Sequence, residues 1–266
     1  MIKDLILGAK KYPIWMRLAL DDIAAMNRRS ILGFLWESGS YIFMVVALSP
    51  LYALLMNMEL EWYIVYFSGG WLVWRFMSGI ISSSCATYTS AAKYINQTKL
   101  PYSIYSYTLV LSHFYRFLLN LPVFLVVILM YADITRIDIA GLLVALFIFI
   151  LMGFSLSIII GYITLKIRDI RVIVENIMRI AFFITPVIWL DKTVTDLSAG
   201  SLKIAAKAAY LDYNPLYHYL IVMRAPLLGE QVPSLSLQIV IVSTAILFMV
   251  SIFMLKKVQQ NIPYLV

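Results

Sequence analysis

Charged side chains are scarce in this sequence. Asp, Glu, Lys and Arg make up 13% of its 266 residues, whereas about 25% is usual for a soluble domain. Hydrophobic residues make up 62%, and the mean hydropathy is +0.88. A chain this poor in charge cannot cover a soluble core with a charged surface. The composition therefore excludes an ordinary soluble domain and indicates a membrane protein.

Thiol and imidazole groups are scarce as well. Cys85 is the single cysteine, so no internal disulfide can form. His113 and His218, the two histidines, lie in different segments without a neighbouring acidic motif. This spacing argues against zinc binding and against acid–base catalysis. The G-x-x-x-x-G-K-[ST] phosphate loop is absent, so the chain does not bind ATP by that device. We therefore expect this chain to bind no cofactor and no metal.

The N-terminal segment lacks the long apolar core of a signal peptide. Its apolar stretch runs only from Leu5 to Ala9 before Lys10 and Lys11 interrupt it. From residue 14 to residue 25, apolar residues alternate with charges at roughly helical spacing, which predicts a helix lying along the membrane surface. We divide the chain into this cytoplasmic amphipathic interface segment, 1–30, and a transmembrane domain, 31–266.

Long apolar runs, in contrast, are plentiful. A transmembrane helix needs about 20 apolar residues to cross about 30 Å of hydrocarbon. Six runs reach that length, which predicts an all-α membrane protein with six transmembrane helices, since a barrel would show short alternating strands. The six predicted spans are 34–57, 62–84, 105–131, 139–164, 170–190 and 235–255.

The segment between the fifth and sixth runs is too long for a simple loop and contains an apolar stretch of its own. Pro215, Pro226 and Pro233 divide it into pieces that are too short to cross the membrane. We therefore predict a re-entrant helical pair here. Asn214 directly precedes a proline, a pattern that predicts a helix start capped by the Asn side chain.

Basic residues are unevenly distributed among the connections. With the N-terminus inside, the first two outer loops hold only Arg136, and the other short connections hold many Lys and Arg side chains. Because positive residues are retained on the cytoplasmic side, we predict a multi-pass membrane protein with both termini in the cytoplasm. The basic face is expected to attract anionic membrane lipids, and no module for nucleic acid is present.

Charged residues inside the predicted spans are candidates for function or for pairing, because each costs about 2.5–3.5 kcal/mol to insert. Glu175 and Arg179 stand four residues apart on one helical face, which predicts that they neutralise one another. The acids lie far from the membrane centre, where a proton-coupled transporter would carry one. The full set is Glu37, Arg75, Arg116, Glu175 and Arg179.

Aromatic residues form two stripes at helical spacing in the first two spans. Most aromatic side chains in such a protein fill the core or the interfacial belts, and core packing is the simpler interpretation of both stripes. If the stripes line a conduit, their rings are suited to the apolar faces of passing sugars. The candidate conduit residues are Phe34, Tyr41, Tyr52, Tyr63, Phe67 and Trp74, with Gly70 on the second stripe.

Three segments resemble the permeases of the type 2 ABC exporter family, in the branch that exports polysaccharides such as O antigen, capsule and teichoic acid. They are NRRSILGFLW at 27–36, KIRDIRVIV at 166–174 followed by ITPVIW at 184–189, and YNPLYHYLIVMRAPLLGE at 213–230. Their order and spacing within the six-span frame carry the resemblance, which covers essentially the whole chain. Trp189 departs from the family pattern, where Tyr is more common.

The resemblance implies a homodimer resting on two separate ATP-binding cassette subunits, which would hold ATP and Mg²⁺. It implies that 14–30 is a gate helix and that 85–104 contains the coupling helix. Contacts with the ATPase are implied for Lys93, Arg168, Asp169 and Arg171. A lipid-diphosphate-linked glycan would need donors at the inner rim, and Arg28, Arg29 and Lys99 are candidates.

The function implied is that of a transport permease in the bacterial cytoplasmic (inner) membrane rather than that of an enzyme. Aromatic abundance favours a neutral glycan over a polyanion, and so favours O antigen of lipopolysaccharide as the cargo. Export of capsular polysaccharide, teichoic acid or a small molecule is an alternative on the same scaffold. A membrane-embedded transferase is a further alternative, although it would need a convergent cluster of acid, histidine and phosphate-binding or metal-binding residues.

Overall fold

The computed structural model describes residues 2–26, 33, 35–190 and 210–265, and these residues form a bundle of α-helices. A short 3-10 helix, Ile134–Arg136, lies between the α-helices Ser103–Tyr131 and Ile139–Lys166. The helices are α1 (Ile2–Lys10), α2 (Tyr12–Met26), α3 (Leu35–Leu55), α4 (Leu60–Ser84), α5 (Ala92–Gln97), α6 (Ser103–Tyr131), α7 (Ile139–Lys166), α8 (Ile170–Ile184), α9 (Pro215–Leu228) and α10 (Ser234–Leu265).

Five of these helices, α3, α4, α6, α7 and α10, are long and apolar enough to cross a membrane. They coincide with five of the six predicted spans, so the multi-pass helical fold is confirmed for the described part of the chain. The run at 170–190 differs from its prediction. Helix α8 has 15 residues and is about 22 Å long, short of the roughly 30 Å of hydrocarbon.

Helix α8 ends early because Pro186 has no amide hydrogen and restricts the residue before it. Thr185 accordingly adopts an extended backbone, with φ −84° and ψ 138°. Residues 185–189 then form a turn that packs back onto α4. The fifth predicted span is therefore a short helix followed by a turn, and a count of six spans is not confirmed.

Helix α4 lies at the centre of the bundle. In its most apolar window 72% of the residues are buried, against 17–50% in the other four long helices. Tyr63, Phe67, Met77 and Ile80 are fully buried along it. Helix α7 approaches α4 closely at Gly153, where an added Cβ would lie 3.0 Å from the side chain of Ile80. Helix α4 is thus packed by the subunit itself on most of its surface.

Both termini and two of the connections lie at one end of the bundle, which we call the termini end. Asp4 in α1 accepts hydrogen bonds from the backbone amides of Tyr102 and Ser103 at the start of α6. At the C-terminus, Asn261 donates to Tyr162 Oη near the end of α7. This arrangement agrees with the predicted alternation of the spans, and the assignment of this end to the cytoplasm stays a prediction.

Helix α9 is a buried helix of 14 residues between α4, α7 and α10. The predicted cap is confirmed, because Asn214 Oδ1 accepts from the amide of Leu216 and Pro215 occupies the first helical position. Gly229 ends the helix with a φ of 71°, in the left-handed region that glycine tolerates. The other member of the predicted re-entrant pair would fall within 191–209, outside the described residues.

Candidate functional site

Helices α1 and α2 lie against α6 at the termini end. Besides the two amide contacts to Asp4, Ser103 Oγ donates to the Asp4 carbonyl at 2.9 Å. A Cβ on Gly8 would collide with Ser103 Oγ, so glycine permits this close approach. A carboxylate at a helix N-terminus is favoured by the free amides and by the helix dipole. Helix α1 is therefore fixed to the start of α6, directly after the connection that carries α5.

Helix α2 confirms the predicted amphipathic segment as a helix. Ala19 is fully buried against α6, and the Trp15 and Tyr107 rings are centred 5.6 Å apart. Asp22 Oδ2 lies 3.4 Å from Ser112 Oγ. Burial raises the pKa of the Asp22 carboxyl, against the opposing effects of Ser112 and of the Arg116 charge. An ionisable side chain thus sits in the contact between α2 and α6.

Three of the five charged residues predicted to lie in the spans come together. Arg75 in α4 pairs with Glu37 in α3 at 2.5 Å and donates to Ser40 Oγ at 3.0 Å. Arg116 in α6 is close enough to Glu37, Asp22 and Arg75 to interact with their charges. Each of these residues was predicted individually from the sequence. Their convergence was not predictable, because they lie on three helices whose packing is not encoded by spacing along the chain.

A cavity of about 410 Å³ lies beside this cluster, between α3, α4 and α6, and we call it the polar cavity. A neighbouring cavity of about 280 Å³ reaches the α2 contact, and Ser83, His113 and Arg116 line both. Gly79 makes room for the His113 ring, since an added Cβ would lie 2.8 Å from Nδ1. The polar cavity is lined by Glu37, Trp71, Arg75, His113, Arg116 and Asn120, among others.

Two polar atoms of the polar cavity lack a hydrogen-bond partner among the described residues. Asn120 Oδ1 is buried and unpartnered, although the amide nitrogen of the same side chain donates to the Arg116 carbonyl. The indole Nε1 of Trp71 is also buried and unpartnered. Buried polar atoms in proteins are usually satisfied by protein or by water. These two atoms therefore mark a place where the cavity accepts something polar.

Glu175 is paired differently from the prediction. Its Oε1 accepts from Arg171 Nε at 3.0 Å, one turn earlier on α8, and among the described residues no ion pair joins it to Arg179. Both basic residues stand four positions from Glu175, so spacing alone did not distinguish them. Arg179 is exposed instead. Arg171, predicted as an ATPase contact, therefore supplies the partner of the acid.

The other predicted charge sites lie at the surface of the termini end. Lys93 is on α5 and Lys99 follows it, and both are exposed. Arg168 and Asp169 are exposed in the connection between α7 and α8. Lys93, Arg168 and Asp169 were predicted to contact the ATPase, and Lys99 to lie at the inner rim. These roles stay predictions. Three further predicted site residues, Arg28, Arg29 and Phe34, lie outside the described residues.

The aromatic stripes are packed inside the subunit. Tyr41, Tyr63 and Phe67 are fully buried, Trp74 is 4% exposed, and Tyr52 is half-buried. Tyr41 Oη donates to the Ser68 carbonyl at 2.9 Å. Because these rings are covered by helices of their own chain, they form its core in this conformation. Their use as a conduit lining stays a prediction.

A second polar cluster, at the end of the bundle away from the termini, was missed by the sequence analysis. Arg224 in α9 is 2% exposed, donates to the Pro186 carbonyl at 2.8 Å and lies 4.2 Å from the Tyr66 ring centre. Tyr63 Oη donates to the Ile188 carbonyl at 2.6 Å. We call Tyr63, Tyr66, Arg224 and the turn 185–189 the proline node. The feature of the sequence that could have indicated this cluster is the single Arg in the apolar stretch 215–228.

No family model matches this chain. A curated relative, the O-antigen export system permease protein RfbA of Myxococcus xanthus, is 24% identical over 184 residues, which are 69% of this chain and 71% of the relative. The relative is named as a permease, and the described part of this chain contains five helices able to cross a membrane. The match confirms the resemblance to the permeases of type 2 ABC exporters in the polysaccharide-export branch.

Proposed function

We propose that this chain is the transmembrane permease subunit of an ATP-driven exporter that moves a lipid-linked polysaccharide across the bacterial cytoplasmic membrane, with O antigen of lipopolysaccharide as the first candidate cargo. The observation that carries the proposal is the alignment of 69% of the chain with an O-antigen export permease. A bundle of membrane-length helices supports it. The permease itself does no bond chemistry in this proposal.

The proposed assembly contains two copies of the chain and two ATP-binding cassette subunits that hold ATP and Mg²⁺. Both termini lie in the cytoplasm, and α8 with the turn 185–189 contributes to the fifth of six crossings. Helix α2 acts as the gate helix, and α5 acts as the coupling helix. The exposed side chains of Lys93, Arg168 and Asp169 at the termini end are available for the ATPase. Lys99, with Arg28 and Arg29, receives the lipid diphosphate at the inner rim.

The contacts at the termini end suggest how closure of the ATPases reaches the membrane. The connection that carries α5 leads directly into α6, and Asp4 binds the first amides of α6. Helix α2 is packed on the same helix through Ala19 and Asp22. A displacement of α5 would therefore move α6, α1 and α2 together, which couples the ATPase to the gate helix.

Deletion of the gene in its host tests this function. Lipid extraction and glycan analysis would quantify the polymer at the cell surface and the lipid-linked polymer inside. We expect loss of the polymer outside and its accumulation inside, and the accumulated glycan identifies the cargo, whether O antigen, capsule or teichoic acid. An unchanged surface glycan with no trapped intermediate would favour small-molecule export. Loss from both pools would favour a transferase.

A further inference from the structure

The polar cavity has properties that the proposed transport path does not use. Its volume of about 410 Å³ falls within the range of about 300–1,000 Å³ that is typical of small-ligand sites. It lies within one subunit, between α3, α4 and α6. Its lining combines charged groups, neutral polar groups and aromatic rings. Each of these three kinds of group restricts the class of ligand that the cavity could bind.

The charges around the cavity are balanced. Arg75 is paired with Glu37, and Arg116 interacts with the charges of Glu37 and Asp22. Glu37, Arg75 and Arg116 line the polar cavity itself, and Asp22 lines the neighbouring cavity beside Arg116. With all four ionised, the region as a whole carries little net charge. A diphosphate would be favoured by an excess of basic groups, and a metal cation by an excess of acids. Balanced charges instead suit a neutral ligand with many polar groups.

Of the two unpartnered atoms, one is a hydrogen-bond donor and the other is an acceptor. Trp71 Nε1 carries a hydrogen to donate, and Asn120 Oδ1 has lone pairs to accept one. A hydroxyl group both donates and accepts, so hydroxyls are able to satisfy both atoms. Asn120 is 2% exposed and lines the cavity, so a hydrogen-bond donor for its Oδ1 would have to lie in the cavity. A polyhydroxylated ligand meets this requirement with several hydroxyls on one rigid ring.

Apolar surface is also available in the lining. Phe76 and Phe117 line the cavity, with ring centres 5.2 Å apart, and the half-buried Trp71 indole lines it as well. A pyranose ring presents C–H groups on its faces and hydroxyls around its edge. Aromatic rings that contact the face and polar atoms that contact the edge therefore match one sugar residue.

We propose that the polar cavity is a binding site for a neutral sugar residue, present in each subunit. The proposal rests on the proposed function, since a polysaccharide exporter is the setting in which such a ligand is presented. It assigns Trp71 and Asn120 as ligand-binding residues, with the Arg75–Glu37 pair and Arg116 supplying further donors and acceptors.

Ligand-observed saturation-transfer NMR on the full chain in lipid nanodiscs tests the site. The probes are neutral methyl hexosides, and inorganic phosphate is followed in parallel by its ³¹P line width. Trp71→Phe keeps the ring and removes the N–H, and Asn120→Leu removes the amide at similar volume. We expect hexoside binding by the wild-type chain and about fivefold weaker binding in each variant, as for one lost hydrogen bond. Trp62→Phe, on the same helix outside the cavity, is the matched control and should bind normally.

Each other outcome overturns the proposal. Equal hexoside signals in all four proteins would show adventitious binding, and binding of phosphate in place of hexosides would show an anion site. Absence of both signals would show a cavity filled by water alone. Every variant must elute as a single species in size-exclusion chromatography. If either Trp71→Phe or Asn120→Leu misfolds, the remaining variant still tests the site. The gene-deletion assay is scored separately, so failure of the export function and failure of the sugar site are distinguishable.

Discussion

The two halves of helix α4, 60–70 and 71–84, are built in different ways. At the proline node, the carbonyls of Pro186 and Ile188 accept hydrogen bonds from Arg224 and Tyr63, and an added Cβ at Gly70 would lie 3.2 Å from Val187 O. At the polar cavity, the same helix borders about 410 Å³ of space and carries an unpartnered Trp71 Nε1. The first region is closed by direct contacts, whereas the second leaves room and unused hydrogen-bonding capacity.

This difference suggests which half of α4 has neighbours that are able to rearrange during transport. Direct hydrogen bonds to backbone carbonyls in an apolar setting hold one geometry, because no water is present to replace them. Ion pairs beside a cavity are able to exchange partners with water or ligand. We infer that the proline node fixes α4, α8 and α9 relative to one another. Rearrangement during transport is then expected at the termini end, where α2, α3 and α6 meet.

Loss of the Arg224 guanidinium is expected to have the largest effect on stability. Arg224→Met keeps the apolar stem and removes the charged hydrogen bond to Pro186 together with the contact to the Tyr66 ring. We expect a loss of about 3 kcal/mol from these two interactions, measured by thermal unfolding in detergent. The exposed Arg136→Met is the control and should change stability by less than about 0.5 kcal/mol. Equal effects of the two substitutions would contradict a special role of the proline node.

Breaking the ion pair at the polar cavity should cost less. Arg75→Met leaves Glu37 without its partner, but both side chains are partly exposed, at 21% and 17%. Solvent screening reduces the penalty relative to a fully buried pair, so we expect about 2 kcal/mol. The double variant Glu37→Gln with Arg75→Met should recover part of this loss. A double variant less stable than Arg75→Met alone would show that the pair is not what the substitution disturbs.

Tyr63→Phe separates hydrogen bonding from packing at the proline node. The ring and its burial are kept, and only the donor to the Ile188 carbonyl is lost. We expect a loss of about 1 kcal/mol in the same unfolding assay, because one buried acceptor remains unsatisfied. Tyr52→Phe, at a half-buried position on α3, is the matched control. A stability change at Tyr63 no larger than that at Tyr52 would show that the hydrogen bond adds nothing measurable.

The smallest expected effect concerns the docking of α2. Burial raises the pKa of the Asp22 carboxyl in the docked state above its ordinary value. Ser112 and Arg116 act in the opposite direction, and Asp21 adds to the rise. The docked state therefore binds the proton more tightly. Its favourable contribution is present below the undocked pKa and is lost as pH rises through the docked pKa.

Docking of α2 on α6 should consequently weaken slightly as pH rises through this window, measured by the distance between spin labels on the two helices. Asp22→Asn, which does not titrate, should remove this pH dependence. The same pH dependence in Asp22→Asn would assign it to another group. Labels placed on α4 and α9 should show no change, because the proline node contains no carboxylate among its defining residues.

The sequence predicted the parts of this fold that depend on local pattern. Runs of about 20 apolar residues predicted six membrane-length helices, and five of them are present among the described residues. Asn214 before Pro215 predicted a capped helix start that the structure confirms. Pairing across helices was beyond such patterns. The convergence of Glu37, Arg75 and Arg116 depends on how α3, α4 and α6 rotate against one another, and spacing does not determine that rotation.

The remaining differences have similar causes. Arg224 was missed because α9 lies in a segment too short to cross a membrane, so its charge was not counted among those inside the spans. Glu175 had a basic residue four positions away on either side, and the structure pairs it with Arg171. For the aromatic stripes, periodicity showed that Tyr63 and Phe67 share a face, but only the packing of α8 and the turn 185–189 shows what that face contacts.

ATP-dependent export in a defined system tests the central claim most directly. The full chain and its ATPase partner are reconstituted in lipid vesicles with the ATPase on the outside, and labelled lipid-linked glycan is added to the outer leaflet. Delivery is measured as glycan protected from an added glycosidase. The account predicts protection that requires ATP, the ATPase and this chain together. Equal protection of the glycan in vesicles that lack this chain would contradict the account. So would a lack of protection when all components are present and ATP is hydrolysed.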